Sequence, residues 1–149
     1  MIDDGLCCNI DLEWRATDNA GTITTTIGDV PYSDLGMTAT GRAGPNPEEL
    51  LLAAVASCYS ITLAKLLRAA SLPCTRVAVC AAGVIANDLG KMCFTRIIVR
   101  PTIRGADLPR QNTYKKWANA ARDECLIGRS FRGNVSFVIG DVAILGSAE

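Results

Sequence analysis

Histidine is absent from the chain, and no Cys-x-x-Cys pair occurs in it. The adjacent Cys7 and Cys8 are too tight for ordinary tetrahedral zinc spacing, so no structural metal site is expected. An excess of one charge is also missing. Lys plus Arg and Asp plus Glu each number 15, and no tail or block stands out by its sign. A nucleic-acid groove or a patch for anionic membranes is therefore not expected. The start, Met1-Ile-Asp-Asp4, has neither a basic region nor a long apolar run, and so does not read as a signal peptide. The longest uncharged run, Leu50 to Ala64, is 15 residues and carries Ser and Thr, short of a bilayer span. Linkers, internal repeats and low-complexity segments are absent too. These absences predict one soluble domain over residues 1–149, without membrane or nucleic-acid partners, in the cytoplasm.

What is present is apolar and rich in thiols. Hydrophobic residues make up 49% of the 149, which excludes intrinsic disorder and supports a core that needs no staples. Seven cysteines stand at positions 7, 8, 58, 74, 80, 93 and 125. The odd count and the apolar surroundings do not read as a secreted disulfide framework, so a reducing compartment follows. Free cysteine is usually a buried small hydrophobe, and Cys74, Cys80 and Cys93 are read that way.

The pattern along the chain gives the order βββ-α-ββ-α-β, an α+β fold. Ile10–Trp14 and Thr22–Ile27 read as a hairpin across the turn Asp18-Asn-Ala-Gly21. Gly28-Asp-Val-Pro31 reads as a second turn, with a short third strand before Gly41. Asn46, Pro47 and Glu49 then form a helix start: a capping residue, a proline at the first helical position, and the acid that completes a capping box. The helix should run from Pro47 to about Ala70, apolar on nearly every side between Leu50 and Ala64. Such a helix is hard to bury in one small chain, which predicts a homodimer. Strands are expected over Thr75–Ala86 and Met92–Arg104, with Pro101 marking an edge or a bulge. A second helix, Thr113 to about Glu124, would put Trp117, Ala121 and Cys125 on one face. A final strand would cover Val135–Ile144.

Two stretches carry a resemblance. Gly44-Pro-Asn-Pro-Glu-Glu-Leu-Leu-Leu-Ala-Ala-Val-Ala-Ser-Cys58 is similar to the signature of the OsmC/Ohr family, the osmotically inducible and organic-hydroperoxide-resistance proteins. Ala121-Arg-Asp-Glu-Cys125, followed by an Arg/Ser-containing turn and a strand, resembles that family's later cysteine. The resemblance implies a long central helix packed on an antiparallel sheet and an intertwined homodimer with its sites at the interface. It implies reduction of organic hydroperoxides without a bound cofactor, Cys58 being peroxidatic and Cys125 resolving. It also implies recycling by an external dithiol, a lipoylated protein in one branch, and makes Glu48 the acidic partner of an activating arginine. The family's arginine sits in the N-terminal hairpin. This chain has Asp18-Asn-Ala-Gly21 there, which leaves Arg15 and Arg42 as candidates.

The residues set their own conditions on that chemistry. A thiol with a pKa of about 8.5 is only roughly 7% thiolate at pH 7.4. Full ionisation gains about tenfold, so positioned donors must supply the rest. Cys58 lies beyond the first turn of its helix, in apolar surroundings, and a cation is expected to activate it. Glu48 is ten residues away, about 15 Å along a helix axis, and cannot touch Cys58 within one helix. Leu52, Val55, Ile61 and Trp117 are candidates to line a pocket for a small hydrophobic peroxide. Without the resemblance, Cys58 and Cys125 also read as core residues and Glu48 as a first-turn acid. A dimer that binds a small apolar ligand, or that senses oxidation without turnover, remains an alternative function.

Overall fold

The computed structural model describes residues 5, 8–34 and 42–147, which fall into two compact units, 1–51 and 52–149. In the first unit an antiparallel meander joins β1 (Asp11–Arg15), β2 (Ala20–Thr25) and β3 (Gly28–Ser33) in that order. Gly21 stands between Trp14 and Tyr32 in the register, and a Cβ there would lie 2.2 Å from the Tyr32 ring. Its absence lets the two rings meet at 5.6 Å across the middle strand. Two expected turns are displaced. The first occupies residues 16–19, with Asn19 at φ 51°, and the second is Thr26-Ile27. Gly28–Pro31 is thus strand rather than turn; Pro31 is tolerated because β3 pairs on one side only. A strand between Pro31 and Gly41 falls partly on residues 35–41, outside the described ones.

The start of α1 (Pro47–Ala69) is the reciprocal box that the sequence predicts. Glu49 N–H donates to Asn46 Oδ1 at 2.8 Å, and Asn46 N–H donates to Glu49 Oε2 at 3.0 Å. Asn46→Ala is expected to cost about 1 kcal/mol. Differential calorimetry should read this as a melting temperature lower by about 2–4 °C. The other end closes at Ser71, φ 55°, where Leu72 N–H bonds the Leu67 carbonyl at 2.9 Å.

In the second unit α1 buries one stripe, not every side. Val55, Tyr59, Leu63 and Leu67, four residues apart, have no solvent exposure, whereas Ala53, Ala54, Ser57, Ile61 and Ala64 are exposed. By length and a mean hydropathy of 1.9 this helix could cross a membrane, although its uncharged run could not. Its fully buried stripe marks it instead as the core helix of a folded unit.

The sheet of this unit has β4 (Arg76–Asp88) antiparallel to β5 (Lys91–Arg104) through a two-residue turn, Leu89-Gly90, both at positive φ. The expected final strand is two strands, β6 (Ser136–Ile139) and β7 (Ala143–Leu145), each parallel to β5. The break between them accounts for Pro101, which lies neither on an edge strand nor at the bulge, the latter being at Val84/Ile85. β6 pairs up to Val99 and β7 from Thr102, so Pro101 faces the interruption, where its missing N–H costs no ladder bond. A turn of 3₁₀ helix, Leu108–Arg110, leads into α2 (Gln111–Glu124) and then α3 (Leu126–Arg129). Tyr114, Ala118, Ala121 and Cys125 form the buried face of this segment.

Neutral overall, the chain is polarised between its units. Residues 1–51 hold nine acidic and two basic residues, and residues 52–149 six acidic and thirteen basic, net −7 and +7. The sequence reading found no concentration of one sign because arginines at intervals of four never form a run.

Candidate thiol active site

Cys58 and Cys125 are 67 residues apart in sequence and meet in the second unit. Cys58 is on α1, one position before buried Tyr59, and so lies at the margin of the helix's buried stripe, half-exposed. Tyr59 ties α1 to α2 by donating its hydroxyl to the Ala118 carbonyl at 2.7 Å. Cys125 ends α2 in an extended conformation (φ −69°, ψ 116°), and this break brings the N–H groups of the next turn towards the thiols. Gly128 N–H donates to Cys125 Sγ at 3.5 Å. Gly128 itself can carry no side chain without displacing Phe137, whose ring would lie 2.3 Å from its Cβ.

The two thiols are driven apart in acidity. Burial pushes Cys58 up, but the Ile127 N–H, the Cys125 thiol, the Leu126 N–H and the Thr62 hydroxyl hold its thiolate, and the balance lies below the ordinary thiol range. Burial pushes Cys125 up to about 11; the negative charge of Cys58 adds to the rise and the Gly128 N–H opposes it. Cys58 is thus the more acidic thiol and Cys125 the protonated donor to it. Among the described residues of one chain, none of the groups that shift Cys58 is a cation. The sequence reading expected a cation and missed these amides, because the break after α2 that aims them comes from packing. The one local signal was Cys125 at a helix end beside the glycine-containing turn Leu126-Ile-Gly128.

Alkylation by iodoacetamide, followed peptide by peptide across pH, should modify Cys58 with a midpoint below the ~8.5 of free cysteine. Cys125 should resist until the pH nears 11. A Cys58 midpoint at or above the free value would contradict this arrangement. Stability follows the sign of the Cys125 shift. The unfolded chain releases that proton near ~8.5 while the folded chain holds it to about 11, so between these values stability falls as pH rises.

The other expected residues are placed differently. In the first unit Arg42 makes a bidentate pair with a carboxylate at 2.7 and 2.8 Å, but the acid is Glu49, one residue beyond Glu48. Arg42 and the Asn46 N–H hold the Glu49 carboxyl below its usual range. Glu48 is half-buried in the first turn of α1. Arg15 is bound to Asp18 at 3.3 Å and to Thr22 at 3.4 Å. Val55 is wholly buried, and Ile61 is 56% exposed. Cys80 and Cys93 are exposed, so the buried-hydrophobe reading fails for them, whereas Cys74 is half-buried and packs against the core; Cys8 is exposed. Cys7 lies outside the described residues.

An α+β chain with a buried-helix scaffold and two neighbouring thiols of unequal acidity has the make-up of a thiol-based redox protein. The family model for OsmC-like proteins matches residues 39–140. An uncharacterised protein of Bacillus subtilis, YmaD, is 30% identical over 106 residues, covering 69% of this chain and 71% of its own. This chain belongs to the OsmC-like family. Its fold is shared with an OsmC-like protein from Mycoplasma pneumoniae at a TM-score of 0.77 and 17% identity, covering 92% of this chain and 96% of that one. It is also shared with the organic hydroperoxide resistance protein OhrB of Bacillus subtilis at a TM-score of 0.67 and 21% identity, covering 91% and 98%.

Proposed function

We propose that this protein reduces organic hydroperoxides through a Cys58–Cys125 cycle, as a cytoplasmic homodimer recycled by an external dithiol. The observation that carries this reading is the contact between a thiolate-favouring Cys58 and a protonated Cys125. The Cys58 thiolate attacks the terminal peroxide oxygen, the O–O bond breaks, and the alkoxide leaves as alcohol after taking up a proton. Cys58 is then a sulfenic acid. Cys125 condenses with it, releasing water and forming the disulfide. Cys58 is half-exposed and Cys125 buried, so an incoming dithiol attacks the Cys58 sulfur and expels Cys125 as the leaving thiol. A lipoylated protein has the required chemistry.

OsmC-like membership and the likeness to a hydroperoxide-resistance protein support the reaction class. The exposed small and apolar face of α1, Ala53, Ala54, Ser57, Ile61 and Ala64, supports packing against a second copy, since close approach of two helices needs small side chains. Arg42, with Glu49 in the place expected of Glu48, is the better held of the two candidate cations; Arg15 is the other.

The test is consumption of cumene hydroperoxide under excess dihydrolipoamide. Multiple turnovers, faster than free cysteine at the same concentration, are expected, with hydrogen peroxide a poorer substrate. A rate no faster than free cysteine would sink the enzyme reading. One other reading is a redox sensor, since the same pair of thiols can form a disulfide without catalysing turnover. That protein would form the disulfide once and not turn over.

A further inference from the structure

The arginines at the far end of the second unit are not used by the thiol chemistry. Arg76 opens β4 and Arg104 closes β5, and the two are direct partners in the antiparallel register. Their Cα atoms are therefore about 4.5–5.5 Å apart, and like charges placed so oppose folding. Arg15, Arg42, Arg110, Arg122 and Arg132 each have a carboxylate partner. Among the described residues Arg68, Arg76, Arg96, Arg100, Arg104 and Arg129 have none, and of these only Arg76 and Arg104 stand opposite each other across paired strands. Two adjoining concavities of about 260 Å³ each share Thr75 and Arg76 as common walls. The first also takes in Arg68, Leu72 and Cys74, and the second Arg104. Arg68 alone has an ordinary reason, since a cation in the last turn complements the helix carbonyls. Arg76 opposite Arg104 has no such reason, and the unit around them carries net charge +7, which deepens the positive potential of any recess in it.

We infer that Arg68, Arg76 and Arg104 form a binding site for a small, multiply charged oxyanion, a phosphoryl or polycarboxylate group. Arg68 and Arg76 line the recess that also takes in buried Leu72 and half-buried Cys74, Arg76 and Arg104 line the adjoining one, and Arg76 is the wall common to both. The planar forks suit paired oxygens, and the anion removes the repulsion between the cross-strand arginines. The sequence shows nothing of this, because Arg76 and Arg104 are 28 residues apart and join only through the β4–β5 register.

Titration calorimetry of the full chain with inorganic pyrophosphate, inorganic phosphate and citrate, at fixed ionic strength, tests the site. One anion bound per chain is expected, with pyrophosphate preferred for a phosphoryl ligand and citrate for a carboxylate one. Arg76→Gln and Arg104→Gln should each weaken binding at least tenfold. Arg96→Gln, on the same outer face but outside both concavities, should leave it unchanged. Urea unfolding at low salt without anion supplies the second readout. There Arg76→Gln should match or exceed the wild-type midpoint, and added anion should raise the midpoints of wild type and Arg96→Gln but much less those of Arg76→Gln and Arg104→Gln. No binding by any of the three anions, an equal loss in Arg96→Gln, or an Arg76→Gln protein less stable than wild type without anion would overturn the inference.

Discussion

Cys58→Ser is expected to reduce dithiol-dependent hydroperoxide consumption to the protein-free rate, and Cys125→Ser to give one turnover and then stall. The loss in the first should exceed about 10³-fold, since a nucleophile contributes more than the 10²–10³ supplied by a single oxyanion donor. Serine in place of Cys58 leaves the Leu126 and Ile127 amides in position but removes the group they hold. Serine in place of Cys125 leaves the attack intact and removes the thiol that condenses with the sulfenic acid. Intact-mass measurement distinguishes the two. Oxidised wild type should lose two hydrogens as a disulfide, whereas Cys125→Ser should gain one oxygen. Full turnover by Cys125→Ser would remove Cys125 as the resolving thiol, and residual turnover by Cys58→Ser would reassign the peroxidatic one.

The second large effect is on stability, at the neighbouring residue. Tyr59 is fully buried, packs edge-on to Phe137 at 6.5 Å and bonds the Ala118 carbonyl. Tyr59→Ala removes an aromatic side chain from a closed core and should cost about 3–5 kcal/mol. A protein of this size then melts about 6–20 °C lower. Tyr59→Phe keeps the ring and loses only the hydroxyl contact, at about 0.5–1.5 kcal/mol. Urea midpoints of the two variants separate packing from the hydrogen bond. Equal losses would mean that the hydroxyl, not the ring, holds α1 to α2. Tyr59→Phe should retain the low alkylation midpoint of Cys58, because the amides that set it belong to the turn after α2.

Local chemistry was readable where neighbours in sequence decide it. The Asn46/Glu49 box, the helix from Pro47 and the hairpin between the strands expected at Thr75–Ala86 and Met92–Arg104 depend on residues close in sequence, and they lie where the pattern puts them. Pro101 shows the opposite case. A proline in a strand implies an edge when the neighbours are unknown, but here the adjacent strand is interrupted. Arg42 illustrates a finer limit. Sequence could offer it an acid in the first turn, but only side-chain reach decided between Glu48 and Glu49.

The same division runs through the site. The sequence by itself determined that the chain is an α+β protein of the OsmC-like kind, with Cys58 on its long helix and Cys125 after its second, since periodicity, capping and motif spacing are properties of short segments. Only the tertiary structure decided that the two thiols touch and which is the more acidic. It also showed that backbone amides act on Cys58, and that the neutral chain carries paired arginines at one sheet end. Those outcomes depend on desolvation and on distances between segments far apart in the chain, and both are set only when the segments pack.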